Sequence, residues 1–170
     1  MPSGVADPAR AAARRRTRIS LGIVLVVVAL DQLTKTWAVH RLDSGPVAVF
    51  GTGIEFELSR NTGSAFSLFQ GFTPLLAVLA VVIAVVLVRA VRRTDDRVTL
   101  VALSLVLGGA TGNLLDRIIR SPGFLHGAVI DFLHIGNFPT FNVADSCITI
   151  GAIILVVRML FAPQPDRAPQ

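Results

Sequence analysis

Four apolar runs, each long enough to cross a bilayer, set the frame for this chain. They are "ISLGIVLVVVALDQLTKTWAVH" (19–40), "TPLLAVLAVVIAVVLVRAV" (73–91), "VTLVALSLVLGGATGNLL" (98–115) and "VADSCITIGAIILVVRMLF" (143–161). About 20 residues of helix span the hydrocarbon core, where helices satisfy their backbone hydrogen bonds internally. The composition agrees. Apolar residues make up 52% and charged residues 16%, against roughly 25% charged in an ordinary soluble domain. The mean hydropathy is +0.67. The expected fold is an all-α membrane protein, a four-transmembrane-helix bundle over residues 19–162. A basic N-terminal tail (1–18) and a Pro-rich C-terminal tail (163–170) are expected to be disordered. The first run follows a basic stretch, as a signal peptide would. It lacks a small-residue cleavage site and three more runs follow, so it is read as a retained span.

Arginine placement orients the bundle. Lys35 is the only lysine, so the basic balance comes from arginine. Such a balance can signal nucleic-acid binding, but here the arginines flank apolar runs, and no nucleic-acid partner is expected. "RRRTR" precedes the first span, and Arg89, Arg92, Arg93 and Arg97 surround the link between the second and third. The positive-inside bias makes both places cytosolic, which puts both termini inside and connections 42–72 and 116–142 outside. In the first outer connection, Ile54-Glu55-Phe56-Glu57-Leu58 alternates after Gly51 and Gly53, the pattern of a small β-hairpin. Phe66, Phe69 and Phe72 recur every three residues. They suit either a short surface helix lying on the membrane or a packed loop. Cys147 is the only cysteine, so no internal disulfide can form. It reads as a small hydrophobe.

Polar residues inside apolar spans are costly and mark function or specific pairing. Asp31 and Lys35 lie four apart on one helix face, either as an internal ion pair or as support for a nearby site. At the outer end of the third span, "GGATGNLLDR" places three glycines for close helix packing and sets Asn113, Asp116 and Arg117 on one face. Asp116 and Arg117 are adjacent, which is poor geometry for a direct pair, so each is expected to bond another element. They form either a polar clamp between helices or a substrate contact.

The segment "GAVIDFLHIGNFPTFNVADSCITIG" (127–151) carries two aspartates, Asp131 and Asp145, among apolar neighbours. Asp145 has a local explanation. If Asn142 caps the fourth helix, Asp145 is its N3 residue, where negative charge is favoured. Asp131 has none, and an unpaired buried carboxylate is neutralised rather than left charged. Asp145 is its available partner. Two carboxylates brought together share a proton. The ionised member can take a proton from water while the protonated one donates to a carbonyl oxygen, which is the chemistry of peptide hydrolysis. His126, Asp131 and His134 match no familiar zinc spacing. The serines lack a convincing Lys or His partner, so neither a metal nor another cofactor is expected.

Five segments in order, "DQLTK" (31–35), "NTGSAFS" (61–67), "GGATGNLLDR" (108–117), "VIDF" (129–132) and "FNVADSCITIG" (141–151), resemble the bacterial lipoprotein signal peptidases, signal peptidase II. The resemblance implies an aspartic endopeptidase of the plasma membrane. It implies diacylglyceryl-modified prolipoproteins as substrates, cut just before the lipidated cysteine at the outer face, and inhibition by globomycin. It maps the catalytic pair onto Asp131 and Asp145, and supporting residues onto Asp31, Lys35, Asn61, Asn113, Asp116, Arg117 and Asn142. It also implies that the first outer connection forms a cradle over the substrate. Membrane lipids are further expected partners, with anionic headgroups the simplest ones for the arginine-rich start, and a monomer suffices to enclose the site. A transporter or proton-coupled channel is the rival, since intramembrane acids mark such pathways. The inner halves of the second, third and fourth spans are almost wholly aliphatic, which suits an interfacial enzyme better. A passive scaffold leaves Asp131 unexplained.

Overall fold

The computed structural model describes residues 8–49, 53–63 and 73–161. Its elements are α1 (Pro8–Arg41), β1 (Val47–Val49), β2 (Ile54–Asn61), α2 (Thr73–Arg93), α3 (Arg97–Ile119), β3 (Val129–Ile135), β4 (Phe138–Phe141) and α4 (Val143–Phe161). All four helices are long and apolar enough to cross a membrane. Their outward faces carry exposed aliphatic side chains such as Leu25, Val86 and Val157, the surface a helix presents to lipid. The central helix is α3, which packs against α1, α2 and α4.

Small residues permit that packing. A Cβ on Gly108 would lie 2.8 Å from the Val27 Cβ of α1. One on Gly109 would collide with the Ala144 carbonyl oxygen and lie 2.8 Å from the Ile148 Cγ1 of α4. From the other side, a Cβ on Gly151 would come within 2.7 Å of the Ala102 carbonyl oxygen. Backbones in van der Waals contact are how helices associate where no hydrophobic drive operates between them. Gly109→Ala is therefore expected to cost about 1–3 kcal/mol, the usual penalty of overpacking. Gly22→Ala, with nothing within 4 Å of its added methyl, should be neutral or mildly stabilising. Thermal unfolding of both variants in detergent checks the contrast, and equal midpoints would remove the close-packing account.

Two expectations are corrected. First, residues 8–18, read as a disordered tail, are helical and continuous with the first span. Alanine and arginine are strong helix formers, and Arg16 is tethered by an ion pair to Asp95 in the α2–α3 link. Second, the all-α description is incomplete, because a four-stranded antiparallel sheet in the order β1-β2-β3-β4 caps one end of the bundle. The pairing of β1 with β2 falls in the connection between α1 and α2, where a hairpin is expected. The further strands, β3 and β4, carry no alternation to announce them. Val129, Ile130, Asp131 and Phe132 are all buried, so a central strand covered on both faces reads as a plain apolar run. The segment proposed as a surface helix, with Phe66, Phe69 and Phe72, lies outside the described residues, as do the tail 163–170 and any closure of a cradle.

The sheet is seated on α1. Trp37 meets Phe56 edge-on at 5.3 Å and Phe132 at 6.3 Å, above a cluster of Ala38, Leu42, Ile130 and Phe132. At the opposite end, Asp96 caps α3 through the Thr99 N–H at 2.7 Å and pairs with Arg158 of α4 at 2.9 Å. The start of α1, the α2–α3 link and the end of α4 thus gather at one pole. The sheet occupies the other.

Candidate active site

Where the sheet meets the bundle, a connected polar network fills the interior. Its base is Lys35, fully buried, whose Nζ lies 2.8 Å from Asp31 Oδ2 and 2.8 Å from Asp116 Oδ2 and donates to Asn113 Oδ1 at 2.9 Å. Buried charge persists only when paired and hydrogen-bonded, and both carboxylates take further bonds. Asp31 Oδ1 accepts the Ala144 N–H of α4 at 3.0 Å. Asp116 accepts the Ile130 N–H of β3 at 3.2 Å, the Gln32 amide at 3.1 Å and the Arg120 Nε at 2.7 Å. One lysine thereby ties α1 to α3, and its two partners reach on to α4 and β3. A Cβ on Gly112 would sit 2.6 Å from Asp31 Oδ2, so glycine at that position is what admits the carboxylate.

Asparagines carry the network outward to the two remaining aspartates. Asn142 caps α4, as the spacing predicts. Its Oδ1 accepts the Asp145 N–H at 2.9 Å, and the Asn142 N–H is 3.3 Å from Asp145 Oδ2, the reciprocal arrangement of a capping box. The Asn142 amide also donates to Asp131 Oδ1 at 2.6 Å, so one asparagine holds both carboxylates. Asn113 donates to Asp145 Oδ1 at 2.8 Å, and Asn61 of β2 donates to Asp131 Oδ2 at 3.2 Å. The β2–β3 register shifts between Phe56 and Ser59, and Ser59 is the residue opposite Asp131. Irregularities of this kind re-aim side chains near functional sites.

Asp131 is held well above the ordinary carboxylate range. Burial of its carboxyl and the neighbouring Asp145 charge push it from 3.8 up to about 6, against the lowering effect of the Asn61 and Asn142 amides. The sign for stability follows. Between pH 3.8 and about 6 the folded protein keeps a proton that the unfolded chain has lost, so this group's contribution is present below 3.8 and lost as pH rises to about 6. Asp131→Asn should abolish that part of the pH dependence. Unfolding midpoints of both proteins across this window provide the check.

The sequence-derived residues meet here with one exception in detail. Asp116 bonds other elements, as expected of it. Arg117 feels the charges of Asp131, Asp116 and Asp145, yet its buried Nη1 has no hydrogen-bond partner among the described residues. Two participants went unread. Gln32 sits within "DQLTK", and Arg120 follows Asp116 by one helical turn, so i,i+4 spacing could have found it. Beside Asp145 opens an apolar groove of about 600 Å³, lined by Phe138, Phe141, Thr149 and Ile150. His126 lies apart at a turn with its Nδ1 on the Phe124 carbonyl, and among the described residues no metal-competent cluster of His, Cys, Asp or Glu occurs.

Fold and site together define a multi-pass membrane protein whose polar machinery, including a carboxylate pair, is concentrated at one end of its bundle. Comparison with known proteins narrows this. The family model for signal peptidase (SPase) II matches residues 23–161. A lipoprotein signal peptidase of Rhodococcus jostii is 45% identical over 166 residues, covering 97% of this chain and 83% of the relative. One from Mycobacterium tuberculosis (strain H37Rv) is 42% identical over 159 residues, covering 93% and 79%. Two solved structures described as bacterial membrane enzymes superpose with TM-scores of 0.77 and 0.75, at 27% and 30% identity. They cover 89% and 85% of this chain, and each is itself covered to 94%. The chain belongs to the signal peptidase II family, the lipoprotein signal peptidases.

Proposed function

We propose that this protein removes signal peptides from diacylglyceryl-modified prolipoproteins, cutting just before the lipidated cysteine, with Asp131 and Asp145 activating water. The observation that carries this is the pair of carboxylates held by the single Asn142 side chain and backbone, one of them raised to about 6. Such a pair shares one proton and titrates as a unit. Burial favours that proton on Asp131. Asp145, held by the Asn113 amide and the Asn142 N–H, takes a proton from the attacking water. Asp131 donates its proton to the scissile carbonyl oxygen, and a gem-diol forms. Return of protons to the diol's departing nitrogen and to Asp131 breaks the C–N bond, giving acid and amine products. Arg117 Nη1, without a partner among the described residues, supplies a donor for a substrate carbonyl. The groove beside Asp145 takes the apolar part of the substrate, so that lipid on the cysteine helps place the peptide bond. Lys35 and its two carboxylates act from below by fixing Asn113.

The arginine-rich pole is cytosolic by the positive-inside bias. The sheet and the carboxylate pair then face the extracytoplasmic side of the plasma membrane, where exported prolipoproteins are found. The polar end is confined to one pole, which supports an interfacial enzyme over a conduit. The purified protein should cut a diacylglyceryl-modified prolipoprotein peptide at one bond, immediately before the cysteine, with globomycin blocking it. The unlipidated peptide should be cut far more slowly. Mass spectrometry of the products reads both points, and cleavage elsewhere, or equal turnover of the two peptides, contradicts the proposal. Chelators should leave the rate unchanged, whereas loss restored by zinc would bring back a metal mechanism.

A further inference from the structure

At the pole away from the carboxylate pair, a second site is built from residues the proposed chemistry does not use. Arg14 and Arg18, one helical turn apart on α1, converge with Arg92 of α2 and with Thr17 around a cavity of about 410 Å³. Part of this wall precedes residue 23, where the family match begins. The neighbouring Arg16 is already committed to Asp95, and that tether fixes the face α1 turns toward α2. Among the described residues, Arg14, Arg18 and Arg92 have no carboxylate partner, although Asp95 and Asp96 lie in the adjoining link and pair instead with Arg16 and Arg158. Three guanidiniums collected around one cavity repel each other unless an anion sits among them.

Two apolar cavities open from the same place. One, of about 140 Å³, shares Thr17 and Arg92 with the basic cavity and runs between helices past Leu21, Val24 and Leu107. The other, of about 400 Å³, starts at Arg89 and Arg92 and follows α2 past Val88, Val85 and Val81. Arg92 lines all three. A cationic chamber at the membrane boundary, with two apolar channels leading from it along spans, has the form of a phospholipid: a phosphate and two acyl chains. Guanidinium forks match phosphate oxygens in a way ammonium groups do not, and basic pockets between spans on the cytoplasmic side suit anionic headgroups.

We propose that this pole is a binding site for one anionic phospholipid. Its headgroup phosphate is held by Arg14, Arg18 and Arg92, and its acyl chains lie in the two apolar channels. Bound lipid would join the start of α1 to α2 beside the ion pair of Arg16 with Asp95.

The test uses the full-length protein, delipidated in a neutral detergent and titrated with phosphatidylglycerol, phosphatidylcholine or inorganic phosphate. Native mass spectrometry counts retained lipid, and thermal unfolding reports stabilisation. Phosphatidylglycerol should bind as a single tight adduct and raise the midpoint. The triple variant Arg14→Gln/Arg18→Gln/Arg92→Gln should weaken it on the order of a hundredfold, each arginine near the surface being worth several-fold. Arg15→Gln/Arg93→Gln removes charges that do not line the cavity and should leave the adduct in place. Val85→Trp, which obstructs one channel, should weaken the lipid while all three arginines remain. Cleavage of substrate should survive in every variant. Equal binding of phosphatidylcholine, an undiminished adduct in the triple variant, or equal loss in the control pair would overturn the site. Stabilisation by inorganic phosphate to the same extent would make it an anion site and not a lipid site.

Discussion

Asp131→Asn and Asp145→Asn are each expected to reduce cleavage by about 10³-fold or more, since each removes one half of a proton relay and general acid–base groups contribute about 10²–10⁴-fold apiece. The two should differ in stability. Asp131 is only 3% exposed and carries its charge at a cost. Asparagine there removes that cost and keeps an acceptor for the Asn142 amide, so the variant should unfold at or above the wild-type midpoint at pH 7. Asp145 is different, because its oxygens receive the Asn113 amide and the Asn142 N–H at a helix N-terminus, where negative charge is favoured. Asp145→Asn should lose about 1 kcal/mol. Activity surviving in either folded variant at more than a few per cent would dismiss the water-activating pair. Removal of a costly active-site charge with gain of stability is the usual trade between function and folding.

Lys35→Met is expected to be the most destabilising single change in the bundle, by about 3–5 kcal/mol, the cost of leaving buried charge without its partner. Two carboxylates, Asp31 and Asp116, both with fully buried side chains, would lose their shared cation. Arg120 would still reach Asp116, whereas Asp31 would keep, among the described residues, only neutral donors. Adding Asp31→Asn should therefore recover a substantial part of the loss, a coupling measurable in a double-mutant cycle. Denaturant unfolding in micelles is the measurement. A Lys35→Met protein within 1 kcal/mol of wild type would show that the triad is not a structural tie. Cleavage should fall as well, because Lys35 Nζ anchors the Asn113 amide that holds Asp145.

Much of this is legible in the sequence. Length and hydropathy defined four spans, because a bilayer tolerates few other ways of satisfying backbone. The cap at Asn142 was legible because capping is local, fixed by a three-residue spacing. The glycines of "GGATG" announced close packing for the same reason. The strands β3 and β4 were not legible from alternation, since a strand buried on both faces has none. One local signal did exist. Gly136-Asn137 between "VIDFLHI" and "FPTF" is a two-residue hairpin turn, with Gly136 at φ 55°, and glycine supplies the positive φ such turns require. The helical start of α1 was hidden by its charge, because an arginine-rich segment is as compatible with a solvated coil as with a helix, and the ion pair to Asp95 that fixes it lies about 80 positions away in sequence.

By itself, then, the sequence determined how many times the chain crosses the membrane, which end is basic, and which polar residues had to find partners, because each follows from local composition or from spacing along one helix. Only the tertiary structure decided who those partners are. Lys35 serves Asp31 and Asp116 together, and Asn142 holds Asp131 while capping Asp145. Arg117 Nη1 has no hydrogen-bond partner among the described residues. The Lys35–Asp116 and Asn142–Asp131 pairings join separate elements, the second across 11 positions, and burial, which strengthens every charge and hydrogen bond among them, exists only once helices and sheet have closed around the site.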